Sequence, residues 1–218
     1  MSEESPPGPQ SQPRTFREVR VAYAEPTWDI AKLFPSQGAW SEWEYMALRP
    51  SRIVEYDHGF VEIPDVPTES HQSIVAFLYQ ALLTFVVARN LGKVLFAPLR
   101  VKLWEEKYRE PDIVFMSAEH AARRSNEFWL GTDLAMEVVS EGESNRERDL
   151  EKKRKEYAQG GISEYWIVDP QEQKIVVLKL EDEAYAVHGE FAPGAMANSA
   201  LLGGFTVDVT AVFAAARQ

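Results

Sequence analysis

The feature that most constrains the fold is the order of its hydrophobic periods. Behind Thr68, the residues Ile74, Phe77, Leu78, Ala81, Leu82 and Phe85 recur at helical spacing, which predicts a helix from about Glu69 to Asn90 with one buried face. Thr68 stands as its cap, and Gly92 where a left-handed C-terminal residue is expected. Three β-type runs follow, Lys93 to Leu103, Asp112 to Met116 and Leu134 to Val139, with the polar stretch Ser117 to Asn126 between the last two. A second helix, about Asn145 to Gln159, ends at Gly160-Gly161 and leads to the apolar strand Tyr165 to Val168. The core order is therefore α-β-β-β-α-β, an α/β (α+β mixed) class with a central mixed sheet flanked by helices.

Smaller elements extend this core. The run RIVEYDHGFVEIPD reads as an N-terminal hairpin, Arg52 to Tyr56 with Phe60 to Ile63, turning at Asp57-His58-Gly59. Upstream of it, WSEWEYMAL suits a short helix capped by Ser41. Downstream of the core come a C-terminal hairpin, Lys174 to Leu180 with Ala184 to Val187, a strand at Phe205 to Val209 and a helix at Thr210 to Ala216. Residues 1 to about 15 hold four prolines with Ser, Gln and Glu and no apolar period, so a disordered tail is expected, with 16–218 as a single domain.

Composition removes several function classes. The chain has no cysteine, which excludes disulfides, thiolate metal sites and a cysteine nucleophile, so a catalytic metal must be held by oxygen or imidazole. The longest apolar stretch, Ile74 to Ala88, is shorter than the ~20 residues of a membrane span and reads as a core helix. The first residues lack a basic region followed by an apolar one, so a cytoplasmic location and no membrane partner are expected. A net charge of -11 argues against broad electrostatic attraction to DNA. Arg146 to Lys155, with six basic and three acidic residues, is the only substantial basic cluster.

Chemistry concentrates at three points. In the strand Leu134 to Val139, Ala135, Glu137 and Val139 share one face and Leu134, Met136 and Val138 the other, so Glu137 is a lone acid in an apolar strand. A carboxylate there needs a partner, a hydrogen bond or a metal. Asp112 poses the same question at the head of Ile113-Val114-Phe115. Either acid alone is ordinary at a strand end facing water; two of them opening onto sheet ends are not. On the second helix, a turn of about 100° per residue sets Lys153 on the arc of Leu150 and Tyr157 and sends Arg148, Lys152 and Lys155 to the solvent side. An inward lysine near two carboxylates suits phosphodiester hydrolysis. Asp112 and Glu137 would hold Mg²⁺ or Mn²⁺, and Lys153 would orient water and stabilise charge on the phosphate.

These residues also carry a resemblance. EPDIVF, EVVS, RD...K...Y and GISEYWIVDP resemble the Uma-two family of restriction endonucleases, a branch of the PD-(D/E)XK nuclease superfamily, over about Trp40 to Phe213. VEYDHGFVEIP with PTESHQSI, and LLGGFTVDVTAVF near the end, are similar to further parts of that family. The resemblance implies a restriction-endonuclease-like core with Asp112 and Glu137 as metal ligands. The superfamily's usual lysine lies two residues after the motif acid, which is Val139 here, and the family motif offers Lys153 instead. Glu55 matches a frequent family acid and joins Asp112, Glu137 and Lys153 as a candidate catalytic residue; an exposed hairpin acid is its bland alternative.

Other residues have ordinary readings. Ser140 is a strand-closing turn former, Tyr157 a core residue with its hydroxyl on a polar neighbour, and Tyr165 and Trp166 are sheet packing. His71, in a helix first turn, can approach the site but has no second histidine at zinc spacing. Asp169-Pro170 reads as a strand stop. Three functions follow: a divalent-metal-dependent DNA endonuclease, with a homodimer suiting cleavage of both strands; a catalytically silent domain of this fold that binds nucleic acid or a protein; or, with the same metal, hydrolysis of another phosphate ester.

Overall fold

A computed structural model describes residues 34–48, 50 and 52–217. The expected tail at 1–15 lies outside them, and the unit that carries the site runs over 37–218.

Its centre is a six-stranded sheet. In sequence the strands are β3 (Gly92–Phe96), β6 (Ile113–Ser117), β8 (Leu134–Val138), β9 (Glu164–Asp169), β10 (Lys174–Glu181) and β11 (Ala184–Phe191); in space their order is β11-β10-β9-β8-β6-β3. Only β8 and β9 run parallel, because the connection between them is the second helical segment, long enough to cross over; the other neighbours are antiparallel. The sheet is mixed, as expected.

Its two faces follow the strand alternation. Leu134, Met136 and Val138 pack with Ile113, Phe115, Trp166 and Val168 against α2 (Glu69–Arg89) and α5 (Val209–Ala215). Ala135 and Val139 face the other way, onto Tyr157, Ala158, Tyr165 and Ile167. Burial of Ile74, Leu78, Leu82 and Val86 at 0% marks α2 as a core helix here, although by length and composition alone it could span a membrane. The short helix α1 (Glu42–Ala47) carries a complete capping box: Ser41 accepts from Glu44 N–H, and the Glu44 carboxylate accepts in return.

Four expectations need correction. The run Lys93 to Leu103 is not one strand: Pro98, with fixed φ and no N–H, ends β3, and the chain enters β4 (Val101–Trp104) in a different sheet. That second sheet, β2-β1-β5-β4-β7, was not foreseen beyond its hairpin, β1 (Glu55–Asp57) with β2 (Phe60–Glu62). It is completed by β5 (Lys107–Arg109) and β7 (Trp129–Leu130), too short to show a period. The C-terminus of α2 is turned by Asn90, at φ 53°, not by Gly92. Gly92 is required for another reason: a Cβ there would lie 2.1 Å from the Met116 carbonyl oxygen.

The fourth correction concerns the second helix. It comprises α3 (Glu143–Glu147), a π-helical segment Arg148–Lys152 and α4 (Lys153–Gln159). The widened turn interrupts the regular angular step, so Arg148, expected on the solvent side, is turned inward onto Asp149 at 3.1 Å. The Tyr165 hydroxyl donates to the Asp149 carbonyl at 2.8 Å and ties the widened turn to the sheet. Lys153 and Tyr157 stay on the inward side, and Lys152 and Lys155 stay exposed.

Candidate active site

The antiparallel register of β6 and β8 sets Ile113 opposite Met136, so Asp112 and Glu137 stand next to each other at one end of that strand pair. Asp112 is fixed there by the backbone: its Oδ2 accepts the Val138 N–H at 2.8 Å. The first turn of α2 adds His71, whose N–H is capped by Thr68 and whose Nε2 lies 3.0 Å from the Val138 carbonyl and 3.3 Å from Asp112 Oδ2. Both neighbours accept, so Nε2 carries the proton. Burial opposes protonation of His71, but the bond and charge of Asp112 prevail and raise its pKa above the ordinary value.

Glu137 receives two donors on one oxygen. Tyr157 donates its hydroxyl to Oε1 at 2.5 Å, and Lys153 Nζ stands 2.8 Å from the same atom. Lys153 is 4% exposed and reaches Asp149 at 3.3 Å and Glu55 at 3.9 Å as well. Burial pushes its pKa down, yet Glu137, Asp149 and Glu55 together hold it well above the ordinary lysine value, so it is an ammonium. The Tyr157 hydroxyl, raised by burial and by Glu137, stays a donor.

Glu55 is not an exposed hairpin acid. It is 1% exposed, its Oε2 meets Arg109 at 2.6 Å, and its Oε1 accepts from the Glu110 N–H at 3.2 Å. Burial works against its charge, but Arg109 and Lys153 keep its carboxyl well below the usual range. All four predicted residues, Glu55, Asp112, Glu137 and Lys153, line a single cavity of about 30 Å³. Ser140 lines it too, whereas Asp169 is bound by Arg146 at 2.7 Å, consistent with its reading as a strand stop.

Sequence reasoning gave no role to Arg109, Arg148, Asp149 or Glu110. Arg109 lies in a three-residue strand with no period, and Arg148 and Asp149 depend on the π turn. Glu110 had a signal, its place directly before Pro111-Asp112, which went unused.

The cavity is short of positive charge. Six carboxyl groups line it, those of Glu55, Asp65, Glu110, Asp112, Glu137 and Asp149, against the cations Arg148 and Lys153 and the imidazole of His71 on its wall and Arg109 behind Glu55. Burial, with the charges of Asp112 and Asp149 outweighing the relief from Lys153, pushes Glu137 up to about 7. Burial and Glu55 push Glu110 up to about 7 as well, and its Oε2 is buried with no partner among the described residues. Among those residues no three His, Asp or Glu side chains stand at closed metal-site spacing. A hard cation such as Mg²⁺ does not need that, since it is commonly held by one or two carboxylates with waters and substrate phosphate. The donor set, Asp112 and Glu137 beside the Val138 carbonyl, fits such an ion.

A pH dependence follows. Glu137 and Glu110 titrate near 4.5 when unfolded and near 7 when folded. The folded state therefore binds more protons between those values, and this contribution to stability is complete below 4.5 and lost as pH rises through about 7. In EDTA the melting temperature should fall from pH 5 to pH 8, and Mg²⁺ should raise it more at pH 8. A melting temperature that rises over that interval would contradict the charge shortage.

With this geometry in hand, comparison with known proteins is decisive on family. The family model "Uma2: Putative restriction endonuclease" matches residues 40–210. The chain belongs to the Uma2 family. Among solved structures, the chain is similar to a putative nuclease belonging to DUF820 from Anabaena variabilis, which superposes with TM-score 0.66 at 17% identity, covering 84% of this chain and 99% of that one. That identity shows a shared fold and no more. No curated protein matches the chain.

Proposed function

We propose that this Uma2 protein is a divalent-metal-dependent endonuclease that hydrolyses phosphodiester bonds in DNA. The observation that carries the reading is the convergence of Lys153 Nζ, 2.8 Å from Glu137, with Asp112 on the wall of one cavity. Asp112 and Glu137 would hold Mg²⁺ or Mn²⁺, and the bound ion supplies Lewis acidity. The chain's own groups do the rest. Val138 N–H and His71 fix the rotamer of Asp112, Tyr157 fixes Glu137, Asp149 fixes Lys153, and the Lys153 ammonium offers positive charge to a phosphate oxygen as negative charge grows on it. Exposed Lys155 on the same helix offers a cation to the DNA backbone in an otherwise acidic chain, while its neighbour Lys152 is held by Glu62 at 2.6 Å. Cleavage of both strands would take two copies.

Supercoiled plasmid incubated with the protein and Mg²⁺ or Mn²⁺ should be nicked, and Asp112→Ala should slow nicking by about 10²-fold or more. Equal inertness of wild type and variant with every metal and DNA form would end this reading. The small volume of the cavity and Val139 at the superfamily's lysine position favour one alternative, a silent domain that binds nucleic acid or protein. Calorimetry separates the two: loss of Mn²⁺ binding in Asp112→Ala and Glu137→Ala supports the enzyme, and no wild-type Mn²⁺ binding supports the silent domain.

A further inference from the structure

A second cavity of about 290 Å³ adjoins the candidate active site, and Asp112 is part of the wall of both. That volume lies near the lower end of the range of about 300–1,000 Å³ seen for small-molecule sites. The backbone ties the two together: Phe96 is the register partner of Ile113, and the Ala97 N–H donates to the Asp112 carbonyl at 3.1 Å. Phe96 is the large ring on this wall. It is 52% exposed although its strand neighbour on the same face, Val94, is buried at 3%. Tyr79 meets it edge-on, with centroids 4.8 Å apart and planes at 75°, and so holds the ring in place without covering it by stacking. Pro64 and Pro98 also line the cavity, and Arg52 and Gln72 provide polar groups at its wall. Arg52 is held there by donating to the Pro64 carbonyl at 2.9 Å.

An isolated exposed apolar residue needs no explanation, but a braced, half-exposed aromatic in a concave site beside a phosphodiester-cleaving centre does. Every nucleobase has a π face, and the base next to a phosphate at Asp112 has this cavity within reach. We propose that the Phe96 cavity is a nucleobase subsite, so that the substrate is a strand with an unstacked base beside the scissile phosphate, single-stranded DNA in preference to an intact duplex. The inference rests on the nuclease reading for the place of the phosphate. A base in a duplex is stacked on both sides and would have to leave the helix to enter; a base in a single strand pays far less. Phe96 stacks on the base, and Arg52 and Gln72 meet its polar edge.

Three labelled probes of equal length test it by fluorescence anisotropy with Ca²⁺ present: a single strand, its duplex, and a wholly abasic strand that keeps every phosphate. Wild type should bind the single strand about tenfold more tightly than either of the others. In Phe96→Ala that preference should vanish, leaving phosphate affinity alone, and Phe96→Tyr should keep it. Because Phe96 is half-exposed, thermal melts are expected to show all three proteins folded. A wild type that binds the abasic strand or the duplex as well as the single strand overturns the subsite, as does a preference that survives Phe96→Ala. Parallel Mn²⁺ cleavage assays separate this from the nuclease reading. A base preference lost in Phe96→Ala without wild-type cleavage keeps the subsite and sinks the nuclease; wild-type cleavage that is unchanged in Phe96→Ala and indifferent to strandedness does the reverse.

Discussion

Arg109→Met should lower the melting temperature by about 10 °C or more, the largest stability loss expected from any single side chain near the site. Arg109 is 0% exposed and joins three carboxylates from two parts of the chain. Its Nη1 meets Glu55 at 2.6 Å and also Glu62, both on the hairpin; its Nε and Nη2 grip Glu156 of α4 at 2.7 and 2.9 Å. Removing one partner of a buried ion pair costs about 3–5 kcal/mol, because the other charge stays buried and unpaired. Glu156 keeps Lys107 at 2.6 Å, so the uncompensated charge falls chiefly on Glu55, whose remaining cation, Lys153, is 3.9 Å away. Arg109→Lys should recover only part of the loss, since an ammonium cannot grip Glu156 with two N–H groups while reaching the hairpin. Differential scanning calorimetry decides: a Met variant melting within about 2 °C of wild type would mean that the network adds no net stability.

The difference between what was legible in the sequence and what was not has a physical pattern. Glu137 was readable because strand alternation put a charge where only apolar residues could otherwise stand, and the sheet indeed turns Leu134, Met136 and Val138 to one core and Ala135 and Val139 to the other. Lys153 was readable because helical spacing sorted one lysine inward from a basic run, and the structure buries it. The same method misplaced Arg148, because a π turn leaves no mark in a hydrophobic period. Arg109 escaped because its role is set by residues some 50 positions away, with a separation of 54 from Glu55 and 47 from Glu156. Periodicity reports the element a residue sits in; it does not report which distant charges the fold brings to it. The break at Pro98 was visible as a residue, but only the tertiary structure shows that the chain changes sheets there, which makes the Phe96 cavity.

If the proposed nuclease reading holds, Lys153→Met should reduce DNA cleavage by about 10²-fold or more, the largest functional loss expected outside the proposed metal ligands Asp112 and Glu137. Its effect on stability should depend on pH, which distinguishes a charge role from a packing role. Met fills a similar channel, so little packing is lost, but Glu137 loses its ammonium partner 2.8 Å away. Glu137 is already pushed up to about 7, and without Lys153 its proton is held more tightly still. Near pH 6 the carboxyl is neutral in the variant, and little unpaired charge is left to destabilise the fold. Near pH 8.5 it must either ionise while buried or hold a proton against the solvent, so the variant should melt further below wild type. Asp149 is spared because Arg148 remains 3.1 Å from it. Glu137→Gln combined with Lys153→Met removes both charges and should recover most of the stability at pH 8.5 while staying inactive. Because the double variant also lacks a proposed metal ligand, cleavage is read from Lys153→Met alone near pH 6, where it stays folded: lost cleavage there would assign Lys153 to the chemistry, and cleavage within about threefold of wild type would remove it from the site.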